Sequence, residues 1–346
     1  MVDVNVEPVA TESATRRGAT PQAIRLLMGF IAARAVYAAA KLGLGDAIGP
    51  EGATAQDLAA RLGADASGLE RLLRALSGLG VIAGGEDGRY RLTSVGASLR
   101  KDAPDSIRDY AIYVHEFLYD LFAELVPGIK EGKPVVEKRL GAPLFSYLQQ
   151  HAETAALFHA GLANRCRIEA PAILEAVSFA GCRKIVDLGG GNGAFLSAVL
   201  AAYPAVSGVL LERGAAIASA RRGEGGPLQR CALIEGDYFT SVPSGGDAYI
   251  LKRVLFDHTA EEVVRVLRNC RDAMAPHGRV VIVEGLAAAP NEDSLQHLMD
   301  LTYLLATTGR MRGQEEYARL LQEAGLRLDR CVATRADVSV LEASRA

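Results

Sequence analysis

The N-terminal part of the chain shows the spacing of short amphipathic helices followed by a hairpin. Residues 21–44 form one apolar helical pattern, and a cap-like Thr54-Ala-Gln-Asp57 opens a second helix. Residues 67–79 form a third helix with leucines on one face. Residues 81–82, a glycine turn and residues 90–92 then predict two paired strands. This order of elements predicts a winged-helix unit.

The C-terminal half alternates between short β-branched runs and helical segments. The strand candidates are residues 184–187, 206–212, 232–235, 248–251, 279–284, 326–334 and 338–343. Alternation of strand and helix predicts an α/β domain with an open, mostly parallel sheet and helices on both faces, and ligands of such sheets lie at the carboxyl ends of the strands. A helical stretch over residues 105–179, broken near 132–134 and 141–143, links this domain to the first unit.

The most informative stretch is Lys184-Ile-Val-Asp-Leu-Gly-Gly-Gly-Asn-Gly-Ala-Phe195, where an apolar strand ends in an acid and breaks into glycines. Strand, glycine turn and helix start form the geometry of a nucleotide-type cofactor site. Glycines let the main chain come close to a ligand, which a Cβ atom would prevent. The turn alone does not identify the ligand, because Gly189-Gly-Gly191-Asn-Gly-Ala194 also satisfies the small-residue form of the dinucleotide pattern.

Composition narrows the range of partners. The chain has 346 residues, 49% of them hydrophobic, and a formal net charge of -3. The third predicted helix carries Glu70 beside its two arginines, and the predicted wing is acidic, so we expect no nucleic acid partner. No apolar run reaches the roughly 18 residues of a membrane span, so we expect no membrane partner.

The five cysteines lie far apart without CxxC spacing, which predicts reduced thiols and a cytoplasmic protein.

Two more strand ends carry acids that suit an adenosine-containing ligand. Glu212 follows the second strand of the domain, where a carboxylate can accept both hydrogen bonds of a ribose diol, in NAD as well as in S-adenosylmethionine. Asp237, Tyr238 and Phe239 follow the third strand. This acid and these two rings suit the amino group and the plane of adenine, and they favour S-adenosylmethionine.

The glycine turn, Glu212, Gly236-Asp-Tyr-Phe239, Leu251-Lys252 and Pro276-x-Gly278-Arg-Val-Val-Ile-Val-Glu284 together resemble the small-molecule S-adenosylmethionine-dependent O-methyltransferases of the plant caffeate and bacterial natural-product type. The resemblance runs from the region of residue 21 to the end of the chain. It implies a class I Rossmann-like methyltransferase domain with a seven-stranded, mostly parallel sheet. It also implies a winged-helix dimerisation domain before it, and a homodimer.

The resemblance implies S-adenosyl-L-methionine as the cofactor. The implied cofactor-binding residues are Asp187, Gly189, Gly191, Gly193, Glu212, Asp237, Tyr238, Phe239 and Lys252. The glycines would surround the methionine part, Glu212 would hold the ribose, and Asp237 with Phe239 would frame the adenine. Lys252 would lie near the carboxylate or the ring of the cofactor.

We expect four segments along the chain. Residues 1–18 are predicted to be a disordered tail, and residues 19–100 the winged-helix dimerisation domain. Residues 101–180 would form the linking helices and the acceptor pocket. Residues 181–346 would form the cofactor-binding catalytic domain.

The catalytic segment of the family departs from its usual sequence in this chain. Relatives carry Leu-His-Asp-Trp after the fourth strand, and their histidine deprotonates the acceptor hydroxyl. Here Phe256 occupies the histidine position and His258 the tryptophan position. Met311 stands where relatives carry the glutamate that orients the histidine, whereas a second orienting acid, Glu284, is present. Because a base and its orienting acid act together, the loss of both indicates a changed mechanism.

Several mechanisms are open at this point. The methyl group of a sulfonium is already activated, so holding the nucleophile in line can suffice, with Asp257 or His258 as an auxiliary base. Alternatively, Asp257, His258 and His297 bind a divalent or ferric metal. We do not favour this metal site, because its ligands must converge on one point and the sequence does not show that these three do. The candidate catalytic residues are therefore Asp257, His258, Glu284 and His297. The candidate acceptor-pocket residues are Phe256, Asp300, Tyr303 and Met311.

We predict a methyltransferase that acts on a small organic acceptor in specialised, natural-product metabolism, with O-methylation of a phenol or enol first. One alternative is C-methylation of an enolisable 2-oxo acid or activated carbon, with or without a metal. Another is a relative that binds S-adenosylmethionine and catalyses a reaction without methyl transfer.

Overall fold

A computed structural model of the chain describes residues 21–222, 226–292 and 295–346. The tail predicted to be disordered, residues 1–18, lies outside them. The boundary between two compact units falls between Ala111 and Ile112. No single helix in the described part of the chain is long and apolar enough to span a membrane, although the bent pair α1 (Pro21–Leu27) and α2 (Gly29–Leu42) reaches that length and composition jointly.

The first unit consists of helices and one hairpin. After α1 and α2 it contains α3 (Leu44–Ala47), α4 (Ala55–Leu62), α5 (Ala66–Gly78), β1 (Ile82–Gly84), β2 (Tyr90–Leu92) and α6 (Ser94–Ala97). Reciprocal hydrogen bonds between Thr54 and Asp57 cap α4, as the sequence predicts. β1 and β2 pair antiparallel. The single helix predicted over residues 21–44 is instead divided, because the chain bends by 43° after Leu27 and Gly43 adopts a left-handed conformation that ends α2.

A run of short helices precedes the sheet of the second unit. It comprises α7 (Arg108–Tyr113), a π-helical turn (Val114–Leu118), a 3-10 turn (Tyr119–Glu124), α8 (Leu125–Glu131), α9 (Val136–Leu140), α10 (Leu144–Gln150) and α11 (Ala152–Ala176). Gly132 and Gly141 adopt left-handed conformations at the ends of α8 and α9, at the breaks that the sequence predicts. α11 is much longer than its neighbours, and it carries the buried acid Glu169.

The second unit is built on one seven-stranded sheet with the order β5-β4-β3-β6-β7-β9-β8. Its elements are β3 (Lys184–Leu188), α12 (Ala194–Ala202), β4 (Ser207–Glu212), α13 (Gly214–Arg222), β5 (Cys231–Glu235), β6 (Ala248–Lys252), α14 (Ala260–Ala273), β7 (Arg279–Glu284), α15 (Leu295–Ala306), α16 (Gln314–Glu323), β8 (Leu326–Ala333) and β9 (Ser339–Arg345). Strands β3 to β7 pair parallel, and β9 pairs antiparallel with both neighbours. The predicted α/β architecture with a mostly parallel sheet is confirmed.

The central strands are buried on both faces, which explains their continuous apolar runs. Val186, Leu188 and Ile282 belong to the core on one side of the sheet. Ile185 and Val281 belong to the core on the other side. Strand order runs in opposite directions from β3, through β4 on one side and β6 on the other, so a crevice opens at the carboxyl ends of these strands. The predicted cofactor residues follow these strands.

Candidate functional site

The glycine turn connects β3 to α12 closely around Asp187. Gly189, Gly191 and Gly193 all have positive φ, and Gly193 is the residue before α12 begins. Gly190 is required for a different reason: a Cβ atom there would lie 2.3 Å from a carboxylate oxygen of Asp187. The turn therefore folds over the acid, as a strand-to-helix cofactor turn does.

The Asp187 carboxyl group is fully buried at the end of β3. Its exposed fraction is 0%, and neither oxygen has a hydrogen-bond partner among the described residues. Burial raises the pKa of Asp187 to about 7, while Lys252 acts in the opposite direction. A buried carboxyl group with both oxygens unsatisfied is costly, so this position fits the cationic or hydrogen-bond-donating part of a ligand.

Glu212 closes the next strand and is fixed by main-chain donors. Its carboxylate accepts hydrogen bonds from the N–H of Gly191 at 3.1 Å and from the N–H of Arg213 at 2.7 Å. Burial raises the pKa of Glu212, and these two hydrogen bonds lower it. The bond to Gly191 places the carboxylate directly beside the glycine turn, in reach of the same ligand.

Asp237, Tyr238 and Phe239 form a rigid corner after β5. The N–H of Phe239 donates to Asp237 Oδ1 at 2.8 Å, and the amide of Asn269 donates to the carbonyls of Tyr238 and Phe239. The two aromatic rings lie 4.9 Å apart between centroids. The corner therefore presents fixed aromatic rings next to an acid.

The structure brings His258 to this corner. Nε2 of His258 lies 2.8 Å from the hydroxyl of Tyr238, within hydrogen-bond distance. The His258 ring also meets the ring of Phe239 edge to face, with centroids 4.8 Å apart. Burial lowers the pKa of His258 to about 4, so the imidazole is neutral at physiological pH. The candidate base is thus placed among the candidate cofactor residues.

A tight turn carries Phe256, Asp257 and His258 and is held from two sides. Glu284 Oε1 accepts hydrogen bonds from the N–H groups of Val254 and Leu255 at 3.0 and 2.9 Å. Burial raises the pKa of Glu284 to about 7. Glu284 Oε1 therefore fixes the backbone of the turn, whereas Oε2 is buried without a hydrogen-bond partner among the described residues.

Arg312 and Gly309 hold the other side of this turn, and sequence reasoning missed both. The Arg312 guanidinium, almost fully buried, donates to the carbonyls of Leu255 at 2.9 Å and His258 at 2.6 Å. A Cβ atom on Gly309 would lie 1.8 Å from the carbonyl oxygen of Phe256. From the sequence, only Met311 of the segment Gly309-Arg-Met-Arg312 was a candidate site residue. In the structure, Gly309 and Arg312 at the two ends of this segment position the candidate catalytic turn.

Phe256 and Asp257 are the second and third residues of the short 3-10 turn Leu255–Asp257. The Phe256 ring stacks on the ring of Tyr303 from α15, with centroids 4.1 Å apart at 22°. Burial and the neighbouring Glu284 raise the pKa of Asp257 well above its usual range. The two rings form a flat apolar surface, and a carboxyl group with an elevated pKa lies next to it in sequence.

Of the remaining acceptor-pocket candidates, Met311 and Tyr303 are buried, and Asp300 binds the backbone. Met311 is buried, and its N–H donates to Asp300 Oδ1 at 2.6 Å. Asp300 therefore has a backbone-binding role at the start of the Arg312 segment. Tyr303 is buried beside Phe256.

His297 is not brought to the site. It lies exposed on α15, with Nε2 3.3 Å from the carbonyl oxygen of Ala289. Within residues 21–222, 226–292 and 295–346, no group of three or more His, Cys, Asp or Glu side chains is arranged to hold a metal ion. The grouping of Asp257, His258 and His297 that the metal hypothesis needs is therefore absent from the described residues.

A buried cluster of charged residues lies at the end of β6, and the sequence did not predict it. Glu169 on α11 pairs with Lys252 at 2.7 Å, Arg253 at 2.7 Å and Arg165 at 2.9 Å. The backbone of Arg253 has a φ of 54°, which is unusual for a residue with a side chain. These cations lower the pKa of Glu169, although burial opposes them. The only sequence signal was the Lys252-Arg253 pair at the end of β6.

Comparisons with known proteins cover both units. A family model for an O-methyltransferase domain matches residues 122–327, and one for an O-methyltransferase dimerisation domain matches residues 24–102. Phenazine O-methyltransferase PhzM of Lysobacter antibioticus is 33% identical over 333 residues, which covers 95% of this chain and 98% of the relative.

Two further matches are similar in extent. The 3-amino-4-hydroxybenzoate 4-O-methyltransferase of Streptomyces cremeus is 36% identical over 312 residues, covering 88% of this chain and 85% of the relative. Among solved structures, CalO1, a methyltransferase in calicheamicin biosynthesis in its SAH-bound form, has a TM-score of 0.85 at 32% identity and covers 96% of this chain and 99% of its own.

Proposed function

The chain belongs to the O-methyltransferase family, and on that premise we propose that it transfers the methyl group of S-adenosylmethionine to a hydroxyl group of a small aromatic acceptor in natural-product biosynthesis. The observation that carries the proposal is the buried Asp187 carboxyl group, unsatisfied at the end of β3 and enclosed by the glycine turn. That arrangement fits the ammonium group of a methionine moiety.

The residues around the crevice fit the other parts of this cofactor. Glu212, held by two main-chain N–H groups, would accept hydrogen bonds from the ribose. Asp237 and Phe239 would flank the adenine, and Lys252 lies close enough to Asp187 to lower its pKa. When bound, S-adenosylmethionine supplies a methyl group on positively charged sulfur, which is open to in-line attack by oxygen.

The acceptor side of the site combines an aromatic surface with a titratable acid. The stacked rings of Phe256 and Tyr303 offer a flat apolar contact for an aromatic acceptor. Asp257, next to Phe256 in sequence, would accept the proton of the acceptor hydroxyl in its ionised form, and its raised pKa makes that form a stronger base than an ordinary carboxylate. The two curated relatives are named for a phenazine and for a hydroxybenzoate, which supports an aromatic acceptor.

Release of S-adenosylhomocysteine tests this function. Purified protein is incubated with methyl-labelled S-adenosylmethionine and, in turn, 3-amino-4-hydroxybenzoate and a panel of hydroxyphenazines and hydroxynaphthoates. We expect labelled product and an equal amount of S-adenosylhomocysteine with at least one phenol. Intact S-adenosylmethionine together with a chemically altered acceptor would overturn the proposal.

We further propose that the protein is a homodimer through its N-terminal domain. The match to a dimerisation domain supports a second copy as the partner. Helices α1 and α2 expose a run of large apolar side chains, among them Leu26 at 76% and Leu27 at 69%. A surface of this kind is typical of a protein interface.

We propose a cytoplasmic location for the enzyme. All five cysteines are free thiols, two of them buried. Free thiols persist in a reducing compartment, which supports the cytoplasm.

A further inference from the structure

We propose that Arg165 and Arg253 bind a carboxylate group of the acceptor, so that the substrate of this enzyme is an aromatic hydroxy acid. The proposal rests on the proposed function and adds the charge of the acceptor to it. It gives a function to the buried charged cluster around Glu169.

This cluster contains more positive than negative charge. The side chain of Glu169 is 4% exposed, and it pairs with Lys252, Arg253 and Arg165, whose side chains are 9%, 10% and 11% exposed. One carboxylate balances only one of these three positive charges. Because a buried charge without a counter-charge is costly, the cluster fits an anionic group that a ligand brings with it.

The backbone at Arg253 brings two consecutive cations to the same acid. Successive side chains of a strand point to opposite faces of the sheet, so two extended neighbours do not share a partner. Arg253 has a φ of 54° at the end of β6, and both Lys252 and Arg253 reach Glu169. Such a conformation is strained for a residue with a side chain, and strain of this kind gathers at functional sites. Here it concentrates positive charge at the carboxyl end of a central strand, where ligands of parallel sheets lie.

The three cations divide between the two parts of the site. Burial raises the pKa of Asp187, the proposed partner of the methionine ammonium group, and Lys252 acts in the opposite direction. Burial also raises the pKa of Tyr303 on the aromatic acceptor surface, and there Arg253 and Arg165 act in the opposite direction. Electrostatic effects of this kind decrease with distance. We therefore assign Lys252 to the cofactor and the two arginines to the acceptor.

The acids next to the acceptor surface are poor counter-charges for the arginines. Glu284 and Asp257 also act on Tyr303. Burial raises the pKa of Glu284 to about 7, and it raises the pKa of Asp257 well above its usual range. A protonated carboxyl group carries no charge, so these acids balance the arginines only in part.

The guanidinium group of Arg253 retains a donor for a second anion. Its Nε and Nη2 donate to Oε1 of Glu169 at 3.1 and 2.7 Å, which leaves Nη1 outside this pairing. Nε of Arg165 donates to the same oxygen at 2.9 Å. A guanidinium group presents five N–H donors in a planar fork that matches a carboxylate. A carboxylate on the ring of an aromatic acceptor has the charge and the planar shape that these donors recognise.

Ligand pairs that differ only in charge test the anion site. Wild-type protein saturated with S-adenosylhomocysteine is titrated by calorimetry with 4-hydroxybenzoate, 1-hydroxy-2-naphthoate and phenazine-1-carboxylate, and with the uncharged amide of each. We expect at least one acid to bind about 10-fold more tightly than its amide, in the range that hydrogen bonds to charged groups contribute. Equal or weaker binding of the acid in every pair overturns the proposal.

Arg165→Met and Arg253→Met show whether the arginines cause this preference. Methionine keeps an unbranched side chain without charge, and in each variant Glu169 retains two cationic partners. We expect the Kd of the preferred acid to rise about 10-fold in each variant and the Kd of its amide to stay within about 2-fold of wild type. An acid preference that persists in both variants overturns the proposal.

Two further variants serve as controls. Arg165→Lys keeps the charge without the planar fork, so we expect it to retain part of the preference for the acid. Arg335→Met removes an exposed arginine that pairs with Glu175 at 2.9 Å, and it should bind acid and amide as wild type does. The melting temperature of each variant, measured in parallel, shows whether the fold is kept. If one methionine variant does not fold, the other and the wild-type ligand pairs decide the question.

A titration of each variant with S-adenosylhomocysteine alone distinguishes the acceptor from the cofactor as the source of the carboxylate. We expect the Kd of Arg165→Met and Arg253→Met to stay within about 2-fold of wild type. A rise of about 10-fold, with unchanged binding of methylthioadenosine, which lacks the amino acid part, assigns the arginines to the cofactor and overturns the proposal. If wild-type protein does not bind S-adenosylhomocysteine, the proposed function itself fails. If wild type binds it without preferring any acid, the cofactor assignment stands and the anion site alone is wrong.

Discussion

The ring of Phe256 stacks on the ring of Tyr303 with centroids 4.1 Å apart. The sequence predicts that Phe256 stands at the position of a histidine base, and a phenyl ring has no proton acceptor. Asp257, the next residue, has a pKa well above its usual range because it is buried near Glu284. We propose that Asp257, and not a histidine, receives the proton of the acceptor hydroxyl.

Asp257→Asn is the first test of that destination. We expect kcat to fall by about 10²-fold, since the amide keeps the shape of the side chain but cannot take up the proton. The Kd for S-adenosylhomocysteine should stay within about 2-fold of wild type, because the amide keeps the size of the side chain and Asp257 is not among the candidate cofactor residues. A variant that retains most of its kcat would show that positioning alone drives the reaction.

The same acid predicts the direction of the pH profile. Only ionised Asp257 can accept a proton, so kcat should rise as the pH increases through its raised pKa. The profile of wild-type protein is compared with that of Asp257→Asn at saturating substrates. We expect the acidic limb to disappear in the variant, and its persistence would assign it to another group.

The ionised carboxylate of Asp187 should lower the stability of the unliganded protein and strengthen binding of the cofactor. Its pKa is raised from 3.8 to about 7 by burial, so folded protein holds this proton over a range in which unfolded protein has released it. Stability from this group is thus fully present below about pH 4 and is lost as the pH rises towards 7, on the order of 4 kcal/mol in total.

Asp187→Asn separates the two effects. Without ligand, we expect its melting temperature at pH 8 to exceed that of wild type, because the neutral amide is not penalised by burial. Binding of S-adenosylhomocysteine should weaken about 10-fold or more through loss of a charged contact. A lower melting temperature at pH 8, or unchanged binding, would contradict this account of Asp187.

Gly309→Ala tests the position of the catalytic turn. The added Cβ atom would lie 1.8 Å from the Phe256 carbonyl oxygen, so the turn must shift. We expect a loss of about 1–3 kcal/mol in stability and about 10²-fold in kcat. Gly78→Ala is the matched control, because a Cβ atom there meets nothing within 4 Å and the residue is helical. Near-normal kcat in Gly309→Ala would mean that the turn tolerates displacement.

The apolar surface of α1 and α2 predicts the oligomeric state. Light scattering after size exclusion should give the mass of a dimer for wild type. Leu26→Glu combined with Leu27→Glu should give a monomer, because charges replace apolar contacts in the interface. Ile234→Glu, at an exposed residue of β5, is the control and should remain dimeric. A double variant that stays dimeric places the interface elsewhere.

Local features of the fold and of the cofactor site could be predicted from the sequence. The glycine turn, Glu212 and Asp237 each follow a strand, and parallel strands bring their carboxyl ends to one edge. Capping at Thr54 and the helix ends at Gly132 and Gly141 likewise depend on neighbours in sequence. Such features are set by short-range spacing and by the period of the apolar pattern.

Contacts between distant residues could not be predicted in this way. Arg312 holds the carbonyl of Leu255 across 57 positions, and Arg253 pairs with Glu169 across 84. Neither spacing has a sequence signature, because the partners meet only when helices pack on the sheet. The contact of His258 with Phe239 could not be predicted either, because the direction of the His258 side chain depends on the short 3-10 turn before it.

The position of the transferred methyl group distinguishes O-methylation from C-methylation and from a reaction without methyl transfer. Isotope-labelled S-adenosylmethionine and a phenol that the enzyme turns over are incubated together, and the labelled carbon of the product is located by NMR. For O-methylation we expect a methoxy signal and one S-adenosylhomocysteine for each product molecule. A labelled methyl group bound to carbon, or an altered product without any label, would rule O-methylation out.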